Sequence, residues 1–324
     1  MDNKLIVLIS PAHFNLSQII IDEIVRCGYK CRWFDDRPSK KKIDKMLLRL
    51  SPALESGKIN RYFKKIVDFC KENQPVKLIV IIGQCFSIKH YQQIREASPN
   101  TELVFYNWDA ISNFPITKDN FAFFDRAYTF DSGDVKNFNL NFLPLFYSYS
   151  NSKEKEDLDY SLVVTVKKGK YADLHNIVSQ LDKIYSRKFC LMYLQSKFVY
   201  RYYKLFDKSF KGAKKNDFSY SFLPAQEVES IFNRSKIVVD IVMGKQTGLT
   251  LRTIETLHLK KKLITNNEHI KEYPFYCEDN ILICKNGDKI DFDSPFFKKP
   301  FNDNYALSEK YSLHSFVKTL LGDK

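Results

Sequence analysis

Long apolar runs are absent from this 324-residue sequence, and no stretch reaches the roughly 18 apolar residues that a membrane-spanning helix needs. The first segment, MDNKLIVLISPAHFNL, lacks the basic start and the small-residue cleavage site of a secretory signal peptide. The seven cysteines are odd in number and show no CxxC spacing, so neither a disulfide framework nor a zinc site is indicated. These absences predict a cytoplasmic protein that does not cross a membrane.

Acidic residues are also too few to balance the basic ones. The chain has 51 Lys and Arg against 38 Asp and Glu, which gives a formal net charge of +13. Such a charge favours an anionic partner, namely nucleic acid, an acidic membrane surface or a phosphorylated ligand. The alternative is codon bias in an AT-rich genome, because net charge bears on association rather than on fold.

Apolar runs of strand length alternate with segments of helical periodicity in both halves of the chain. The runs are residues 4–10, 29–35, 77–83, 102–108 and 126–131, and then 160–166, 188–194, 236–242, 261–266 and 280–284. Because parallel strands need crossover connections and the usual crossover is a helix, this alternation indicates covered parallel sheets. The sequence therefore predicts an α/β fold of two Rossmann-like domains that face a central cleft.

A polar, highly charged segment without periodicity, NSKEKEDLD at residues 151–159, is the best linker candidate. We therefore expect an N-terminal domain over residues 1–150 and a C-terminal domain over residues 151–303. Helical spacing at the end predicts a last helix over residues 304–324, which either packs on its own domain or crosses back to the first.

The segment most suggestive of chemistry is MGKQTGLTLRTIETLHLKKKLITNN, residues 243–267. A strand ends before it, and a helix is predicted to begin near Thr247 or Gly248. Unpaired N–H groups at a helix N-terminus, together with Thr247, Gly248 and Thr250, can bind a phosphate. Arg252 can add a bidentate contact one turn later.

On the same helix Glu255 is predicted to face outward, where its carboxylate can accept hydrogen bonds from a vicinal diol such as ribose. The alternative is an ordinary capped helix. In that case Thr247 is the N-cap, and Arg252 and Glu255 form a surface pair three residues apart.

Residues 235–267 resemble the donor-binding region of GT-B glycosyltransferases, especially of bacterial enzymes that build lipopolysaccharide or capsular polysaccharide. The shared pattern is a strand, a Gln-x-Gly-Leu turn, a helix with Arg and Glu, and an apolar strand that ends in Thr-Asn. Segments 33–39, 104–114 and 124–147 are similar to the same group, so the resemblance touches both halves.

The resemblance implies a metal-independent glycosyltransferase with a nucleotide-sugar donor, a UDP-sugar being favoured, and no separate cofactor. The implied acceptor is a bacterial surface glycan, free or lipid-linked. Glu255 matches the second Glu of the E-x7-E motif, which contacts the nucleotide ribose, whereas Thr247 stands at the first Glu and Lys260 at a usual Gly. The implied donor-binding residues are Gln246, Thr247, Gly248, Thr250, Arg252 and Glu255.

Two further residues are candidates for catalysis. Asp109 follows an apolar strand and can act as general base for an acceptor hydroxyl, or orient that acceptor. His13 lies in a loop after the first strand and is a candidate base, because histidine side chains in general titrate near neutrality. The alternatives are an Asx turn for Asp109 and an ordinary loop histidine for His13. The FDDRP segment, residues 34–38, is expected to leave its carboxylates solvated or paired with Arg37 rather than to bind a metal.

Between residues 187 and 215, nine Lys or Arg stand against one Asp, interleaved with aromatic residues. Such a stretch can lie on an anionic membrane at the inner face, hold a charged glycan, or bind single-stranded nucleic acid. A solvated helix face is the remaining interpretation. No RRM, KH or helix-turn-helix signature supports nucleic-acid binding, so no nucleic-acid partner is expected. A GT-B paralogue without activity also stays open.

Overall fold

The structure, a computed structural model, describes residues 4–12, 16–38, 56–111, 121–152, 154–242, 246–285 and 287–323. The chain divides into two compact units. The first comprises Met1–Leu145 and Ser312–Lys324, and the second comprises Phe146–Tyr311.

The first unit is built on a six-stranded parallel sheet. Its strands are β1 (Leu5–Ser10), β2 (Lys30–Asp35), β3 (Lys77–Ile81), β4 (Glu102–Asn107), β5 (Arg126–Thr129) and β6 (Asn141–Phe142). The order is β2-β1-β3-β4-β5-β6, with every pair parallel. Between the strands lie the helices α1 (Leu16–Arg26), α2 (Ser56–Asn73), α3 (Ile88–Ala97) and α4 (Ser132–Phe138).

The second unit is built on a five-stranded parallel sheet. Its strands are β7 (Leu158–Thr165), β8 (Lys188–Tyr193), β9 (Ser235–Asp240), β10 (Lys262–Thr265) and β11 (Ile281–Ile283). The order is β11-β10-β9-β7-β8, again parallel throughout. Its helices are α5 (Tyr171–Leu181), α6 (Lys197–Phe206), α7 (Ala225–Arg234), α8 (Leu251–His258) and α9 (Pro295–Lys298).

The central strands are nearly continuous apolar runs because helices cover both faces of each sheet. In β1, Ile6 to Ile9 are fully buried, and in β9 Val238 and Val239 are at most 1% exposed. All ten predicted strands form within two residues of their predicted ends. The prediction of two parallel-sheet α/β units is confirmed.

The last helix, α10 (Leu313–Leu321), belongs to the first unit. The Arg126 guanidinium on β5 donates hydrogen bonds of 2.8 Å to the carbonyls of Thr319 and Leu320, which belong to the last turn of the helix. Phe316 packs edge-on against Tyr106 of β4, with ring centroids 4.8 Å apart. The prediction of a helix from residue 304 was wrong in its start, since short 3-10 turns precede residue 313.

Membrane spanning can be examined only for the described part of the chain. No helix in that part combines the length and the apolar composition that a transmembrane span needs.

Candidate functional site

Helix α8 begins later than predicted. Its N-cap is Thr250, whose hydroxyl oxygen accepts the Thr253 backbone N–H at 3.1 Å. The predicted start near Thr247 or Gly248 was wrong, as was Thr247 as the N-cap of an ordinary helix. The physical reason lies in β9, because the Thr250 hydroxyl also donates to Asp240. This bond fixes which threonine caps the helix.

Asp240 ends β9 as a buried carboxylate, only 2% exposed. Its Oδ2 accepts hydrogen bonds from the hydroxyls of Thr250 and of Thr253, the latter at 2.9 Å. Its Oδ1 lies 3.7 Å from Nη1 of Arg252, whose side chain is 38% exposed. Asp240 therefore holds Arg252 at the first turn of α8, and Arg252 does not form the predicted surface pair with Glu255.

A second cation, Lys170, lies in the same neighbourhood. It follows β7 just before α5, is 9% exposed, and donates from Nζ to the Ile241 carbonyl. Burial lowers the Lys170 pKa to about 8, the nearby Asp240 charge opposes this shift, and Arg252 adds to it. Without a ligand, the Lys170 ammonium therefore loses its proton at a lower pH than an ordinary lysine. An anion bound beside it would favour the protonated, charged form.

Two asparagines at the end of β10 bond to backbone groups of residues 242, 247 and 248, which precede α8. Asn266 accepts the Val242 N–H at 2.8 Å and donates to the Val242 carbonyl at 3.1 Å. Asn267 donates from Nδ2 to the carbonyls of Thr247 and Gly248, both at 3.2 Å. Because each peptide is planar and trans, the N–H groups that follow these two carbonyls point away from Asn267.

Within the described residues, the backbone N–H groups of Leu251 and Arg252 have no acceptor, as expected in a first helical turn. The positive end of the helix dipole lies at the same place. Donors and cations thus converge where a phosphate group can bind. The structure brings together Thr250 and Arg252, both predicted, with Gln246 placed nearby by a 2.8 Å bond from its Nε2 to the Gly248 carbonyl.

Glu255 does not face outward as predicted, since it is 1% exposed. Its Oε1 accepts from the Ser148 N–H at 2.8 Å and from the Ser148 hydroxyl at 3.0 Å, while Oε2 accepts from the Tyr149 N–H at 3.0 Å. Burial raises the Glu255 pKa to about 7, although these three hydrogen bonds oppose the shift. Glu255 joins the first residues of this unit to α8, and its ribose contact stays a prediction.

Asp109 lies two residues after β4, at the carboxyl end of the first sheet. Its Oδ1 accepts the N–H of Ala110 at 2.8 Å, as in a local turn. Nearby, Asp134 accepts the Ile111 N–H at 2.9 Å, and burial raises the Asp134 pKa to about 6, with the charges of Asp131 and Asp109 adding to the shift. The catalytic role of Asp109 stays a prediction. His13, the other predicted catalytic residue, lies outside the described residues.

The FDDRP carboxylates pair with arginine as expected. Nε of Arg37 lies 3.1 Å from Asp36 and 3.6 Å from Asp35. Asp36 is only 1% exposed, and burial raises its pKa to about 7, with Arg37 opposing the shift.

One group of side chains in the described ranges has the composition of a cation site. It comprises Glu23, Cys27 and His314, whose ligand atoms lie within 4.8 Å of one another. The Arg26 guanidinium lies among them, 2.7 Å from Glu23 and 2.9 Å from Nδ1 of His314. The Glu23 carboxylate is thus paired with Arg26 and lies 2.6 Å from Nδ1 of His314, and these contacts join α1 to α10.

Sequence reasoning missed Lys170, Asp240, Asn266 and Asn267. Three of them stand at or just after the carboxyl ends of strands β9 and β10. A polar residue at such a strand end was the reason for selecting Asp109. Applying that rule to the predicted run 261–266 would have found Asn266 and Asn267, whereas Asp240 lies inside the predicted run 236–242. Lys170 gave a weaker signal, as one of three lysines in the KKGK turn after β7.

Solved structures identify the fold. Sucrose-phosphate synthase from Thermosynechococcus elongatus aligns with 98% of this chain and 94% of its own, at 8% identity and a TM-score of 0.57. HepE of Anabaena in complex with UDP-glucose aligns over 98% and 96%, at 10% identity and a TM-score of 0.57. UDP-GlcNAc 2-epimerase from Methanocaldococcus jannaschii aligns over 98% and 99%, at 12% identity and a TM-score of 0.52.

This chain therefore has the GT-B fold of the glycosyltransferases among these structures. No protein-family model and no curated protein sequence matches it.

Proposed function

We propose that this protein is a glycosyltransferase that moves a sugar from a nucleotide-diphosphate sugar, a UDP-sugar being favoured, to a bacterial surface glycan. The observation that carries the proposal is the first turn of α8, where Arg252 and two N–H groups without an acceptor among the described residues lie in the neighbourhood of Lys170. The acceptor class, lipopolysaccharide, capsule or a related glycan, rests on the sequence resemblance, as does a cytoplasmic site of action. UDP-sugar complexes of a protein with the same fold agree with the donor class.

In the proposed reaction the bond between the sugar and the diphosphate breaks, and negative charge develops on the leaving diphosphate. The dipole at the start of α8 and the fixed cations Arg252 and Lys170 stabilise that charge without a change of position. Asp240 keeps Arg252 oriented before the donor arrives. Metal independence is part of the proposal, since these groups supply positive charge at the diphosphate.

Asp109 is the proposed base for the acceptor hydroxyl. A carboxylate at the carboxyl end of a parallel sheet occupies the usual position of functional groups in such folds. Its proton acceptance would raise the nucleophilicity of the attacking oxygen. Asp109→Asn is therefore expected to reduce transfer while it leaves donor binding intact.

The fold also occurs in a nucleotide-sugar epimerase, so donor binding alone does not establish transfer. The direct assay incubates the protein with a panel of nucleotide sugars and bacterial glycan extracts, with and without EDTA, and measures released nucleotide and the fate of the sugar. The proposal predicts nucleotide release coupled to labelled glycan and insensitive to EDTA. Epimerised sugar, or no release from any donor, would contradict it.

Matched lysine variants show whether the release depends on this site. Lys170→Met is expected to slow release at least about tenfold, because it removes a charged contact to the leaving diphosphate. Lys183→Met removes an equal charge from an exposed position and is expected to have no effect. Equal rates of nucleotide release in both variants would show that Lys170 does not contribute to the site.

A further inference from the structure

Helix α6 carries an apolar face that the second unit leaves uncovered. Four large side chains on it are exposed: Phe198 at 75%, Tyr202 at 47%, Leu205 at 77% and Phe206 at 66%. Their spacing of four, seven and eight residues places them on one side of the helix. We call these four residues the α6 face. So much contiguous apolar surface on one short helix marks an interaction site.

The opposite side of α6 is partly buried against the second unit. Val199, Tyr200 and Tyr203 lie against the core of the second unit. The Tyr203 ring is 5.0 Å from that of Phe210, and the Tyr200 hydroxyl donates to the Ala213 carbonyl at 3.1 Å. The helix is therefore held in place by its inner side, and the exposure of the α6 face does not come from a loosely attached segment.

Positive charge surrounds this face. Seven cations on α6 and the following turns make no ion pair with any acidic group that the structure describes: Lys197, Arg201, Lys204, Lys208, Lys211, Lys214 and Lys215. The one acidic residue between residues 187 and 215, Asp207, is 9% exposed and accepts the N–H groups of Gly169 and Ser209, at 2.7 and 2.9 Å. It is committed to the turn, and its single negative charge offsets only one of the seven positive charges.

We propose that the α6 face and the seven cations bind the surface of an anionic phospholipid bilayer. The four apolar side chains enter the boundary between headgroups and acyl chains, and the lysines and arginine contact lipid phosphates. This arrangement is that of an interfacial helix, which combines an uncovered apolar side with a basic flank. The inference goes beyond sugar transfer and does not depend on it.

The composition of the face favours lipid over single-stranded nucleic acid and over an acidic protein surface. Single-stranded nucleic acid binds through rings that stack on bases, and Phe198, Tyr202 and Phe206 could supply them. Leu205, which is 77% exposed, has no ring and gains only from an apolar layer. Protein interfaces are poor in lysine, whereas six of these seven cations are lysine. An apolar face ringed by lysines matches a headgroup layer above hydrocarbon.

The test is co-sedimentation of the whole protein with vesicles of phosphatidylcholine alone and of phosphatidylcholine mixed with phosphatidylglycerol. The proposal predicts binding at least about tenfold tighter to the anionic vesicles, lost at high salt. Equal binding to both vesicles, or none to either, would overturn it. So would tight binding to single-stranded oligonucleotides that the anionic vesicles cannot displace.

Two sets of exposed variants locate the surface. The first set removes the apolar contact and combines Phe198→Ser, Leu205→Ser and Phe206→Ser. The second set reverses two charges and combines Lys208→Glu with Lys211→Glu. Each set is expected to weaken anionic-vesicle binding at least about tenfold. The matched controls are Val25→Ser with Ile184→Ser, which are 54% and 50% exposed, and Lys65→Glu with Lys71→Glu on the exposed side of α2.

Unchanged binding by both α6 sets, or equal losses in the controls, would place the contact elsewhere and refute the proposal. A Phe206→Trp variant gives a second readout, since insertion predicts that brominated acyl chains quench its fluorescence beyond that of the parent protein. Absence of such extra quenching also contradicts the proposal. Nucleotide release by the α6 variants separates the two proposals, because the donor site does not contain these residues.

Discussion

At the scale of single residues, the site depends on pairs that are distant in sequence. Asp240 selects Thr250 as the cap of α8 and orients Arg252, while Asn267 fixes the loop before the cap. The sequence predicted Thr250 and Arg252 because their residue types suit a phosphate. It did not predict their partners, since threonines at 247 and 250 are equally good caps until the position of Asp240 is known.

Lys170 should make donor binding depend on pH. Its pKa of about 8 in the free protein rises when a diphosphate binds beside it, so binding takes up a proton above pH 8. Affinity is then full below pH 8 and falls as pH rises further. Titration calorimetry with UDP near pH 8.5, in two buffers of different ionisation enthalpy, should show this uptake.

The uptake should vanish in Lys170→Met and persist in Lys183→Met. A binding enthalpy that is the same in both buffers for the parent protein would show that Lys170 does not respond to the donor.

Glu255 should contribute more to stability than a surface carboxylate does. Glu255→Ala leaves the part-buried N–H groups of Ser148 and Tyr149 without an acceptor, so we expect the free energy of unfolding at pH 5, below the raised Glu255 pKa, to fall by about 2–3 kcal/mol. Glu229→Ala removes the acceptor of the Ser150 N–H, a more exposed group, and should cost less than about 1 kcal/mol. Denaturant titration measures both, and equal losses would contradict the account.

The predicted ribose contact of Glu255 has a separate test. If Glu255 accepts the ribose hydroxyls, UDP binds more tightly than its 2′,3′-dideoxy analogue in the parent protein. That preference should disappear in Glu255→Ala. A preference that survives the substitution would assign Glu255 to holding residues 148 and 149 alone.

At the scale of elements, strands were predicted better than helix ends. Strand runs are apolar along their whole length because both sheet faces are covered, so the pattern itself marks them. The start of α8 depended on Asp240, and the start of α10 on turns that also carry helical spacing. Local pattern therefore located elements, while contacts from elsewhere in the chain set their ends.

The end of α8 offers a test of backbone strain. Lys260 has a φ of 56°, in the left-handed region, and follows the C-cap Leu259. The N–H groups of Lys260 and Lys261 bond to the carbonyls of Leu257 and Thr256, which is the Schellman arrangement that glycine favours. This is the position where the GT-B pattern has Gly.

Lys260→Gly is expected to raise the free energy of unfolding by about 0.5–1 kcal/mol, because glycine adopts this φ without strain. Lys260 also pairs with Asp303 at 2.7 Å, but both side chains are more than half exposed, so the pair contributes little. Lys260→Ala is the control, since it loses the same pair and keeps the strain. Thermal unfolding compares them, and a Gly variant no more stable than the Ala variant would refute the strain.

At the scale of the whole molecule, alternation of strands and helices was enough to predict two parallel α/β units. It could not decide whether the last helix stays with the second unit, because that depends on Arg126, whose bond to the Thr319 carbonyl spans 193 residues. Net charge of +13 indicated an anionic partner without locating it. The structure locates two concentrations of positive charge in the second unit, at the start of α8 and around the α6 face.

The central claim is that a nucleotide diphosphate binds at the start of α8. The most direct measurement is calorimetric titration of a panel of nucleoside diphosphates into the parent protein and into Arg252→Ala, at pH 7 and with EDTA. We predict saturable binding of at least one nucleotide, weakened about 10- to 100-fold by the loss of the Arg252 contact. No heat of binding at millimolar nucleotide, or equal affinity in both proteins, would contradict the claim.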